Sequence, residues 1–173
     1  GEGSVVADIG CGTGYFTMHL ARRVGSTGRV YAVDIDPYVI SDLTRMAAGN
    51  NLTQIRPVLS LPDDPRLPPA SLDIALIANT YHEFTHHDAM LAKIYIALKL
   101  GGLLSIIDRP SEPGQPRSYY LRRHRIPKEL VLEDAARHGF VFLWEAPGFT
   151  PPGDPTQWYF LIFQKPSMAG PEN

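Results

Sequence analysis

An acid and three glycines at alternate positions, Asp8, Gly10, Gly12 and Gly14, follow directly on the apolar run Val5-Val6-Ala7. Glycines at this density let a backbone take positive φ and come close to a ligand, because no Cβ stands in the way. A second acid, Asp34, closes the run Val30-Tyr31-Ala32-Val33, and the polar Asn79 closes another apolar run. Tyr81-His82-Glu83-Phe84 follows almost at once. There an imidazole with the right intrinsic pKa range for proton transfer has a carboxylate beside it. These residue types offer a backbone cradle, carboxylates for hydrogen bonding and one acid–base pair.

Such groups need a frame that brings them to one edge. Apolar runs predict strands near residues 4–9, 29–34, 54–59, 72–78 and 102–108, and apolar residues at helical spacing predict helices near 14–24, 37–49, 86–99 and 127–138. Strand–helix alternation implies a parallel sheet with helices on both faces, whose ligand sites lie at the carboxyl ends of the strands. Asp36 before Pro37 reads as a helix cap, and Gly139 as a helix stop. Four prolines between Leu61 and Ala70 forbid a long helix there, so the third crossover is expected to be extended or a single turn. Residues 110–118, with three prolines and a glycine, are expected to hold no regular element. Phe140–Glu145 and Trp158–Phe163 read as two strands of an antiparallel hairpin, joined by the proline-rich loop 147–155.

The glycine turn fits neither of two common phosphate-binding patterns. A dinucleotide fingerprint puts a third glycine where Tyr15 stands, and a phosphate loop needs a lysine, yet the first lysine is Lys93. Asp8-x-Gly10-x-Gly12-x-Gly14 instead resembles motif I of the class I S-adenosylmethionine-dependent methyltransferases. Val30–Pro37 resembles that family's second strand with its acidic end, and Ser71–Asn79 its fourth strand. Ala97-Leu98-Lys99-Leu100-Gly101-Gly102 resembles its turn into strand five, with Leu100 at the place of the usual proline. The resemblance spans roughly residues 3–108. It implies an α/β, single-domain, Rossmann-like methyltransferase fold with a mostly parallel seven-stranded sheet. Helices would cover both faces, and a C-terminal antiparallel hairpin would insert its last strand beside the fifth. The domain is expected over 1–165, with 166–173 as a frayed tail.

The resemblance also implies roles, with S-adenosyl-L-methionine as cofactor. Gly10, Cys11, Gly12, Thr13 and Gly14 would run under the ribose and methionine, with Tyr15 against the sulfonium or adenine. Asp8 would orient the turn or meet the methionine ammonium. Asp34, with Ile35 beside it, would accept from both ribose hydroxyls. The acid that meets adenine would be Asp63 or Asp64, which could instead cap a turn beside the prolines. Asn79 would stand near the transferable methyl. On the acceptor side, His82 would act as base, assisted by Glu83, with the Tyr81 ring near the sulfonium. His82, His86 and His87 lack a clear carboxylate partner pattern, so no metal is expected.

Composition narrows the partners. A chain of 173 residues with 44% hydrophobic content can bury one core, and a net charge of −2 gives no general attraction to nucleic acid. Cys11, the lone cysteine, allows no internal disulfide and argues against the family's arsenic-methylating members; its place in the turn suits packing. Arg117, Arg122, Arg123, His124 and Arg125, interleaved with Tyr119 and Tyr120, read as a solvated face, as the recognition of a carboxylate or phosphate on the acceptor, or as a contact for the surface of nucleic acid. No apolar run is long enough to span a membrane. Gly1 lies almost on the first strand, where the family carries a preceding helix. Upstream residues are therefore expected to have been removed, any signal peptide would have gone with them, and the compartment is cytoplasmic by default. The expected partner is a small-molecule methyl acceptor, with oligomeric state left open. The competing readings are a non-catalytic S-adenosylmethionine-binding module, an NAD-dependent oxidoreductase, and aminopropyl transfer on the same fold.

Overall fold

The computed structural model describes residues 1–147, 150, 153 and 157–167. Its elements are β1 (Val5–Ile9), α1 (Tyr15–Val24), β2 (Arg29–Asp34), α2 (Pro37–Gly49), β3 (Ile55–Leu59), β4 (Leu72–Ala78), a 3-10 turn (Tyr81–Glu83), α3 (His87–Ala97), β5 (Leu98–Asp108), α4 (Arg117–Arg123), α5 (Lys128–Arg137), β6 (Val141–Glu145) and β7 (Tyr159–Gln164). They build one seven-stranded sheet in the order β3-β2-β1-β4-β5-β7-β6. The pairs from β3 through β5 are parallel, and β7 lies antiparallel to both β5 and β6. Strand order therefore reverses between β1 and β4, which opens a crevice at their carboxyl ends.

Alternation along each strand splits the core in two. Val6, Val30 and Ala32 pack with Ala21 and Val24 of α1 and with Leu43 and Ala47 of α2. Ala7, Ile9, Ala75, Ile77, Leu104 and Ile106 pack with Leu91 and Ile94 of α3 and with Val131 and Ala135 of α5. Neighbouring residues such as Val6 and Ala7 serve opposite faces because successive side chains of a strand point opposite ways. Asp36 caps α2, its carboxylate accepting from the Tyr38 amide at 2.8 Å. The third crossover holds no helix, only an isolated bridge between Leu61 and Asp64.

Two expectations change. The helix predicted to reach residue 99 stops at Ala97, and β5 begins at Leu98 rather than 102. Leu98 is fully buried and pairs with Leu72, and the chain bends only afterwards at Gly101, whose φ is +75°. Residues 117 and 118 belong to α4, which begins directly after Pro116. Proline disfavours helix in the residue before it but not in those after it, so a helix can follow at once. Residues 148, 149, 151, 152 and 154–156 of the predicted loop region, and 168–173 of the predicted tail, lie outside the described residues.

Candidate functional site

A cavity of about 460 Å³ lies at the carboxyl ends of the strands, walled by the glycine turn, Asp34, Ile35, Ser60–Pro62 and Ala78–Thr80. The three glycines do different work. Gly10 has φ +74°, and a Cβ there would stand 2.2 Å from Thr80 Cγ2, so the turn is pressed against the end of β4. Gly14 has φ +85°, and a Cβ would meet Leu43 Cδ2 at 2.6 Å, so it lets α1 pack against α2. A Cβ on Gly12 would meet nothing within 4 Å, and its side of the turn is open. The Gly10 and Cys11 amides both donate to the Val33 carbonyl, at 2.8 and 3.0 Å, which ties the turn to β2.

Asp34 holds the other side. Its Oδ2 accepts from the Gly12 amide at 2.9 Å and its Oδ1 from the Asp36 amide at 3.0 Å. A carboxylate accepts roughly four hydrogen bonds, so both oxygens keep capacity for a diol. Ile35 lines the same wall and is exposed. Asn79 lines the floor with a left-handed φ of 56°, its amide donating to the Ile107 carbonyl at 2.7 Å. Thr13 and Tyr15 form the rim, and the Tyr15 ring is exposed.

Of the other expected cofactor residues, Asp8, Asp63 and Asp64 face elsewhere and Cys11 does not. Asp8 is buried and does not border the cavity; its Oδ2 accepts from Thr17 Oγ1 at 2.6 Å, fastening α1 to β1 and so orienting the turn between them. Burial pushes its carboxyl up to about 6, against the downward pull of the Thr17 bonds. Cys11 borders the cavity but is buried in the core, and burial with two nearby acids raises its thiol pKa far above the usual range, so it stays protonated. Asp63 and Asp64 are not brought to the cavity, whose wall ends at Pro62. Asp64 instead accepts from the Arg66 amide at 2.7 Å.

The 3-10 turn after β4 separates Tyr81 from His82. Tyr81 is a buried strut whose hydroxyl donates to Asp134 Oδ2 at 2.7 Å, and it borders no part of the cavity. Arg117, read from sequence as surface or acceptor-binding, also pairs with Asp134. The His82 ring is buried and its Nδ1 stands 2.9 Å from Asp108 Oδ1. Its Nε2 faces Glu83 Oε1 at 3.6 Å and has no hydrogen-bond partner among the described residues. Burial pulls the imidazole pKa down, but the hydrogen-bonded Asp108 carboxylate and the nearby Glu83 carboxylate outweigh it and raise the pKa to about 9. The same contact with His82 holds Glu83 below the usual carboxylate range, against partial burial. A second cavity of about 220 Å³, lined by His82, Arg117, Tyr120 and Leu121, shares Glu83, Phe84 and Thr85 with the first.

Sequence reasoning missed Asp108 and the pairing of His124 with Glu83. Asp108 ends an apolar strand as Asp34 does, a signal that was legible. His124 belonged to the basic cluster after β5, but its meeting with Glu83 was not legible: its Nδ1 comes within 3.6 Å of Glu83 Oε1 only because α4 folds back beside the 3-10 turn.

A doubly wound sheet with a glycine turn at its switch point, and an acid ending β2 without a phosphate-binding third glycine, defines a nucleoside-binding Rossmann-like domain. Residues 6–102 match the methyltransferase-domain family, and the chain belongs to it, as a class I S-adenosylmethionine-dependent methyltransferase domain. It is 36% identical over 148 residues to the ubiquinone/menaquinone biosynthesis C-methyltransferase UbiE of Chromobacterium violaceum, covering 80% of this chain and 58% of that protein. It is 27% identical over 145 residues to the protein of the same name from Hydrogenovibrio crunogenus, covering 80% and 57%. The chain thus spans little more than half the length of these relatives. A S-adenosylmethionine-dependent methyltransferase structure from Aquifex aeolicus superposes with a TM-score of 0.78 at 20% identity, over 94% of this chain and 82% of that one.

The cavity fits S-adenosyl-L-methionine, the family's methyl donor. The open side of Gly12 leaves room for close approach, Asp34 retains acceptors for the ribose diol, and Leu61, Pro62 and Ile35 offer an apolar slot for adenine. When bound, this cofactor supplies a methyl activated by positive sulfur. Transfer of that methyl would require cofactor and acceptor to be held in line, and such alignment reaches effective molarities of about 10⁵–10⁸ M.

Proposed function

We propose that the chain transfers a methyl group from S-adenosylmethionine to a small molecule held in the second cavity. The observation that carries this is the sharing of Glu83, Phe84 and Thr85 between that cavity and the larger one bearing Asp34 and the glycine turn. The volume of about 220 Å³ suits part of a small molecule rather than a folded partner. Its walls combine the apolar Phe84, Leu121 and Ile126 with the Glu83 carboxylate, which can accept a hydrogen bond from an acceptor O–H, and with His82, whose raised pKa keeps it protonated near neutral pH. The names of the relatives suggest where to begin. C-methylation in ubiquinone and menaquinone biosynthesis, and demethylmenaquinone methylation in a relative from Lactobacillus johnsonii, make a demethylmenaquinone ring the first acceptor to try.

The test has two stages. Calorimetric titration with S-adenosylhomocysteine, and NAD as control, should give saturable binding of the first alone. Methyl-labelled S-adenosylmethionine should then deliver label to one of a panel of soluble demethylmenaquinone analogues, phenols and amines. Saturable NAD binding would return the oxidoreductase reading. Cofactor binding with no label transferred to any of the panel would favour a non-catalytic module.

A further inference from the structure

The cluster on the acceptor side holds more than an acid–base pair needs. His82, Glu83 and His124 each bring one ligand atom to within 4.8 Å of the others, and Glu83 Oε1 lies 3.6 Å from both His82 Nε2 and His124 Nδ1. Two imidazoles, deprotonated on binding, and a carboxylate are a common donor set for zinc and other divalent transition metals. Bonds of about 2.0–2.1 Å at a tetrahedral ion place neighbouring donors about 3.4 Å apart. The two 3.6 Å separations therefore need to close only slightly. The imidazole–imidazole side of the triangle can follow, because His124 is 65% exposed and sits at the end of α4, where its ring can swing.

Two further observations separate this cluster from chance. His82 Nε2 is a buried ring nitrogen with no hydrogen-bond partner among the described residues, aimed at the carboxylate of Glu83. Its other nitrogen, Nδ1, lies 2.9 and 3.1 Å from the two oxygens of Asp108, itself fully buried at the end of β5. A carboxylate behind a histidine fixes its tautomer and ring plane and makes the outward nitrogen a better ligand. The rival group His87, Asp88 and Asp134 lacks this order, since Arg117 and Arg137 already occupy its carboxylates.

We propose that His82, Glu83 and His124 bind a divalent transition metal of the zinc class, with Asp108 as the positioning residue behind His82 and the remaining coordination position open to the second cavity. The existence of the site is independent of methyl transfer; its use rests on the function proposed above. There the ion would hold an acceptor oxygen beside the cofactor and lower the pKa of its O–H.

Titration of the untagged, chelator-treated chain with Co²⁺ reads the site directly. One equivalent should give the intense visible d–d bands of tetrahedral cobalt with nitrogen and oxygen ligands, and Zn²⁺ should abolish them by displacement. His124→Asn tolerates the left-handed backbone at that position and removes one imidazole. It and Glu83→Gln should each weaken Zn²⁺ binding by about tenfold or more, while Asp88→Asn leaves it unchanged. No tetrahedral band, a band that survives both His124→Asn and Glu83→Gln, or one lost with Asp88→Asn would overturn the proposal. Metal binding with no S-adenosylhomocysteine binding would keep the site and remove the methyl-transfer reading; the reverse would do the opposite.

Discussion

Replacing Asp8 by asparagine should remove a pH dependence that the wild-type domain carries in its core. The Asp8 carboxyl is buried, and burial lifts its folded-state pKa from 3.8 to about 6. A carboxyl raised on folding contributes stability that is fully present below its unfolded pKa and is lost as pH rises through the folded one. At 1.36 kcal/mol per unit, the whole loss is about 3 kcal/mol. Two-state linkage places about 2 kcal/mol of it between pH 4.5 and 7, where the fold is most easily measured. Asparagine cannot ionise, yet its amide oxygen can still accept from Thr17 Oγ1, the partner that ties α1 to β1. Urea unfolding of both proteins across that window gives the difference directly, and subtraction removes the carboxylates they share. The wild type should lose about 2 kcal/mol relative to Asp8→Asn as pH rises from 4.5 to 7. A flat difference would show that Asp8 ionises as freely in the fold as outside it, and the reasoning from burial would fail.

Asp34→Asn should weaken S-adenosylhomocysteine binding by about 1–3 kcal/mol through lost charge-assisted bonds to the ribose; unchanged affinity by calorimetry would remove Asp34 from the site. Gly10→Ala and Gly12→Ala should separate, though both force alanine into positive φ at about 1–2 kcal/mol. The first also drives a Cβ into Thr80 and should show the larger fall in melting temperature, whereas the second meets no protein atom and should act mainly on cofactor affinity. Equal melting temperatures would contradict that division. Tyr81→Phe should lower stability by about 1–3 kcal/mol, by removing a buried hydrogen bond to a charged group. Cofactor affinity should not change, and a large loss of it would mean that Tyr81 reaches the cavity after all.

Local signals in the chain already determine the cofactor half of the site. Asp34 and Asn79 are recognisable because a polar residue that ends an apolar parallel strand must lie at the sheet's carboxyl edge, and Gly10, Gly12 and Gly14 because their crowding is needed only at a tight backbone approach. The helix cap at Asp36, the missing third-crossover helix and the antiparallel β6–β7 pair follow from similarly local rules. Tertiary structure decides whatever depends on contacts between distant residues. Asp8 and Tyr81 lie in the motifs that suggest ligand contact, yet their polar atoms turn to Thr17 and Asp134, 9 and 53 residues away. Asp63 and Asp64 lie next in sequence to the cavity wall, but the turn there spends an Asp64 oxygen on the Arg66 amide. The acceptor side, where Asp108 stands behind His82 and His124 meets Glu83, joins β5, the turn after β4 and the end of α4. No spacing in the sequence encodes that meeting, because packing of α4 and α5 against the sheet sets it rather than any local backbone preference.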